Sequence, residues 1–118
     1  MTHATRFVAA VAVLTALALC VPVQAQTPEI DALRARAEQG VADAQSDLGY
    51  MYANGEGVPQ DDVQAHMWFN LAASRLTSAL REIAVQGRDR VADRMTPEDR
   101  SEAQRLASEW DAAHPREP

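Results

Sequence analysis

Two helix-period segments flank a single turn between positions 41 and 73, and no other feature narrows the possible folds of this chain as much. In the first segment Val41, Ala44, Leu48, and then Met51 with Tyr52, fall at steps of three and four, the spacing of one helix face. Gly49 lies inside that segment, where Gly costs about 1 kcal/mol relative to Ala. The expected reason is a neighbouring helix packed too close to admit a side chain. The run Asn54-Gly55-Glu56-Gly57-Val58-Pro59-Gln60 is turn chemistry: its glycines accept positive φ and Pro59 cannot continue a helix. Asp61 or Asp62 then caps a second helix, because a carboxylate accepts from the free N–H groups of a first turn. Ala65, Trp68, Phe69, Ala72 and Ala73 lie along its apolar side. A connection this short places the two helices antiparallel.

The flanking segments extend the pattern. Ile30, Leu33, Ala35 and Ala37 indicate a helix ending at Gly40, a residue suited to a helix C-terminus. After the hairpin, Leu76, Leu80, Ile83, Ala84, Gly87 and Val91 keep helical spacing towards Met95. Thr96-Pro97-Glu98-Asp99 marks a further start, with Thr as N-cap, Pro at the first helical position and acids following. Ala103, Leu106, Ala107 and Trp110 then fall at i, i+3, i+4 and i+7. No segment alternates as a strand does. The expectation is an all-α chain of about five helices in antiparallel hairpins, with Leu48, Trp68 and Leu106 in the core. Of the adjacent Met67, Trp68 and Phe69, one is expected to stay partly exposed, since three consecutive residues cannot share one helix face.

Residues 37–73 resemble a Sel1-like repeat, a relative of the tetratricopeptide repeat. The resemblance is carried by Gly40, Ala42, Ala44-Gln45, Leu48-Gly49, Met51-Tyr52, Gly55, Gly57-Val58, Asp61 or Asp62, Ala65, Trp68 and Ala72-Ala73. It implies a fragment of a right-handed solenoid of helical hairpins, whose first helices line a concave surface, and a role as an adaptor between proteins. The tail from Met95 to Trp110 is similar to a closing helix found after such repeats in exported bacterial proteins. Arrays of this kind usually need about three units to bury a continuous core. With one clear copy, residues 76–113 are expected to supply capping helices.

Residues 1–25 are a different material. They contain no acid and a single Arg, Arg6, ahead of an apolar run from Phe7 to Val21. Pro22 and Val23-Gln24-Ala25 follow. A basic start, a short apolar stretch and small residues before a cut describe a secretory signal peptide, with cleavage expected after Ala25. The run has 15 residues, short of the roughly 20 that span a bilayer. An uncleaved anchor is the rival reading. Lipidation at Cys20 is a minor one, because Leu19 is too bulky for that motif. Residues 26–118 then form one helical repeat domain, periplasmic or secreted, with no membrane span. Losing Arg6 and Cys20 leaves it without cysteine and carries the net charge from −6 to −7.

That composition excludes several functions. An acidic chain lacks the basic face that nucleic acid requires. Without cysteine there is no thiolate for metal binding or nucleophilic attack. No G-x-S-x-G, H-E-x-x-H, P-loop or dinucleotide fingerprint occurs. Asp62 and His66 stand at i, i+4, but two ligands do not make a metal site, and His66 reads as a surface histidine. His114 falls in a loose tail. No catalytic residue, cofactor or metal is therefore expected. A small hydrolase acting on cell-wall or β-lactam substrates, or a structural or inhibitory subunit, are the alternatives to a binding module. The candidate partner-binding residues are Asp43, Asp47 and Tyr50. The two acids are one turn apart, Tyr50 extends their stripe, and Tyr50 sits where the repeat needs no packing residue. Another exported protein with an Arg or Lys beside an apolar pocket is the expected partner.

Overall fold

The computed structural model describes residues 27–118, so the expected signal peptide and its cleavage site lie outside the described residues. Within them the chain is all-α: α1 Pro28–Glu38, α2 Ala42–Asn54, α3 Asp62–Arg75, α4 Ser78–Ala92 and α5 Pro97–Ala113. The helix starts follow from side-chain chemistry. Asp61 caps α3, its Oδ1 accepting from the Gln64 N–H at 3.0 Å. Thr96 caps α5 by accepting from the Asp99 N–H at 3.1 Å, with Pro97 next in line. Thr27 caps α1 in the same way, accepting from the Ile30 N–H at 3.3 Å, so the helix starts ahead of Ile30, its first apolar position. At the other end of the hairpin's first helix, Gly55 takes the left-handed conformation at φ +67° and closes α2.

The centre of the molecule is α3. It packs against α2, α4 and α5, while α1 packs on α2. Enclosure on three sides corrects the expectation for Met67, Trp68 and Phe69: all three are buried, because α3 has a neighbour on nearly every face. The same enclosure buries His66, which the sequence placed at the surface. Leu48 and Trp68 are core residues as expected. Leu106 is only half-buried: α5 meets α3 through the small residues Ala103 and Ala107, and Leu106 flanks that contact.

Phe69 shows how the small residues work. A Cβ added at Gly49 of α2 would stand 2.9 Å from the Phe69 ring, and one at Gly87 of α4 would stand 2.8 Å from it. Real Cβ atoms do not approach a ring so closely, so both glycines exist as clearance for one aromatic side chain. The close neighbour expected of Gly49 is therefore Phe69.

The break between α3 and α4 comes at Leu76 and Thr77, where neither Gly nor Pro marks it. Short connections on both sides of α3 make α2 and α4 parallel to each other. The buried face of α4 is Ala84, Gly87 and Val91. Leu80 and Ile83, on the same helical stripe and read from the sequence as part of it, are instead 54% and 46% exposed.

Candidate protein-docking groove

The face of α2 that carries Asp43, Ser46, Asp47 and Tyr50 is built at i, i+3, i+4 and i+7. Opposite it, Leu76, Leu80 and Ile83 line up at the start of α4. The two stripes bound an open groove of about 270 Å³. One wall is therefore acidic with an aromatic end, and the other is aliphatic. The structure brings all three sequence-predicted residues, Asp43, Asp47 and Tyr50, to one wall.

Asp43 and Asp47 are exposed, and Tyr50 is half-buried. The half-buried state of Tyr50 corrects the view that it is free of packing. Its ring stands edge-on to Phe69, with centroids 5.0 Å apart and planes at 89°. A T-shaped pair of this kind contributes about 0.5–1.5 kcal/mol beyond area burial. Tyr50 therefore supports the core through its ring and also borders the groove. The aliphatic wall was visible in the sequence only as apolar residues at helical spacing.

Beyond Tyr50 the groove continues between the second halves of α2 and α4. There Tyr50, Asn54, Gly87, Arg90 and Arg94 surround a second, smaller opening of about 80 Å³. Arg94 is committed: it donates to Asp62 at 2.6 Å and to the Ala53 carbonyl at 2.6 Å, tying the end of α4 to α2 and α3. Asp62 is thus an ion-pair partner and shares no ligand role with His66. Arg90 is exposed at the rim.

A larger opening, about 400 Å³, lies elsewhere, where the C-terminal tail returns to the ends of α1 and α3. Its polar groups are engaged with one another. Arg75 donates to Asp111 at 2.8 Å, the Trp110 indole N–H to Glu38 at 3.0 Å, and Arg116 to Ser74 at 3.0 Å. His114 stacks on Trp110 at 3.9 Å, so it belongs to this cap and not to a loose tail. The opening is the seam of a structural closure. Among the described residues no three His, Cys, Asp or Glu side chains cluster as a metal site, and no helix is long and apolar enough to cross a membrane.

His66 has a consequence for stability. Burial holds its pKa below the ordinary 6.5, Arg88 of α4 pushes the same way, Asp89 opposes it, and Arg100 of α5 adds a smaller downward push. The unfolded chain therefore binds the proton more readily than the folded one. Stability is full above about pH 6.5 and falls as the pH drops below it towards the depressed folded value. The midpoint of thermal unfolding should decline between pH 7.5 and 5.5, a window in which ordinary carboxylates stay ionised. His66→Leu should flatten that slope. Parallel slopes for the two proteins would assign the decline to other groups.

The Sel1 repeat family model matches residues 42–75. The match covers α2, the glycine-rich turn and α3, slightly later at each end than the 37–73 read from the sequence. No curated protein and no solved structure matches the chain. The chain carries a Sel1 repeat, which points to a protein–protein interaction module.

Proposed function

We propose that this Sel1-like repeat protein is exported, cleaved after Ala25, and acts in the periplasm or outside the cell as an adaptor that binds another exported protein through the groove between α2 and α4. The observation that carries the reading is the exposure of Leu80 and Ile83 opposite Asp43, Asp47 and Tyr50. An aliphatic pair left open on a small domain and edged by polar groups is the usual signature of a protein-binding surface. Stacked helical hairpins suit the role because they hold such a surface rigid.

The test uses the exported protein as bait in periplasmic extract, with the intact mass of the bait locating the cleavage. Leu80→Asp is the informative variant, because its side chain is largely solvent-exposed and contributes little to the fold. It should retain wild-type melting and weaken capture by roughly 1–3 kcal/mol, about 5- to 150-fold. Tyr50→Phe keeps the edge contact with Phe69 and so isolates the hydroxyl. Tyr50→Ala would confound binding with packing. Partner capture unaffected by Leu80→Asp would remove the groove from the proposal.

A further inference from the structure

The groove is electrically polar along its length. Its first half, between the starts of α2 and α4, holds Asp43 and Asp47 beside Leu76, Leu80 and Ile83. Its second half, between the ends of the same helices, holds Asn54, Arg90 and Arg94. Tyr50 borders both openings. Among the described residues, Asp43 and Asp47 make no hydrogen bond or ion pair that would neutralise them, and neither does Arg90, whereas Arg94 is spent on Asp62. The acids come from α2 and the free base from α4, so the polarity belongs to the pair of helices. From Asp43 to Asn54 the α2 wall runs about 16 Å at 1.5 Å per residue. A segment of about eleven helical residues, or about five extended ones, covers that distance.

Resting on the docking function above, we infer that the groove takes a charge-dipolar segment of another protein: a cationic side chain against Asp43 and Asp47, an apolar pair over Leu80 and Ile83, and an anionic group at Arg90. Charge complementarity selects this occupant. A uniformly basic segment would meet Arg90 with like charge, and a uniformly acidic one would meet Asp43 and Asp47 the same way. A concave groove bounded by two parallel helices accepts a convex element, which favours a helical segment lying between the walls.

Three labelled synthetic peptides test the inference. All share the same leucine pair at i, i+4. One carries two Lys at one end and two Glu at the other, one carries Lys at both ends, and one carries Glu at both. Fluorescence polarisation against residues 26–118 should rank the dipolar peptide first by about tenfold at low salt, with the margin shrinking as salt rises. The double variant Asp43→Lys, Asp47→Lys should transfer that advantage to the all-Glu peptide. Arg90→Glu should transfer it to the all-Lys peptide. Circular dichroism on each variant verifies that the helices persist. If the all-Lys peptide binds the wild-type protein most tightly, general attraction to an acidic chain explains binding and the polarity is overturned. Equal binding of the three peptides, with Leu80→Asp still weakening each, overturns the polarity and leaves the docking reading standing. If no peptide binds, or Leu80→Asp changes nothing, both fall. A concentration-dependent dimer abolished by Leu80→Asp would make a second copy the occupant and overturn the inference.

Discussion

Replacing Phe69 by Ala should lower the unfolding free energy by about 3 to 5 kcal/mol, close to half of what a domain of this size possesses. The ring is buried and fills a slot whose two sides are Gly49 and Gly87. Removing it leaves a cavity bounded by backbone, with no side chain at either glycine to relax into the gap, so the cost should fall at the high end of the range. Tyr50 loses its edge contact at the same time. The slot also predicts a coupling. Gly87→Ala alone should destabilise, because its Cβ would stand 2.8 Å from the ring. In a Phe69→Leu background the same change should cost less, since a smaller side chain leaves room for the methyl group. Urea unfolding of the single and double variants measures the coupling. Additive effects would mean that the ring and the glycine do not share the space assigned to them.

The reason for Gly49 was legible before its partner was. A glycine in a helix interior is unfavourable alone, so its presence announces a close neighbour, but only the fold names Phe69 and adds Gly87 from the other side. The face of α2 was legible for the same kind of reason. Asp43, Asp47 and Tyr50 share it by spacing alone. Spacing says which residues lie together on a helix and is silent on whether another element covers them. Spacing therefore does not show that Leu80 and Ile83 stay exposed, or that Met67 and Phe69 are both buried. Both outcomes depend on which helices meet: Phe69 lies between Gly49 of α2 and Gly87 of α4, while Leu80 and Ile83 at the start of α4 stay exposed. His66 followed the same logic, since its burial is set by helices remote in sequence. Thr27 is a different case. The triplet Thr-Pro-Glu at positions 27–29 repeats the one at positions 96–98, and both begin helices by the same hydrogen bond. The signal was present and was obscured by its place beside the expected cleavage site.

Trp110→Ala should cost about 2 to 4 kcal/mol, and its effect should reach further than its half-buried position suggests. The indole connects three parts of the chain. Its ring stands 6.1 Å from that of Trp68 at 68°, an edge contact onto the core of α3. Arg75 of α3 lies over its face at 4.8 Å and pairs with Asp111 one residue further on. Its N–H donates to Glu38 at the end of α1. A cation over an indole contributes about 0.5–2 kcal/mol, depending on desolvation, and the Arg75 side chain here is only 11% exposed. Ala abolishes all of these at once, while Trp110→Phe keeps an aromatic ring there, removes the bond to Glu38 and gives up part of the indole's contact area. The Phe variant should therefore retain most of the lost stability. Because Trp68 and Trp110 are the only tryptophans, emission from the Ala variant reports Trp68 alone. It should shift to longer wavelength if α5 detaches and wets Trp68. A blue, unshifted emission with unchanged melting would mean that Ala103 and Ala107 hold α5 on α3 without the indole. In that case the closure of the chain's end would rest on α5–α3 packing alone, and the contacts from Trp110 to Arg75 and Glu38 would contribute nothing measurable to it.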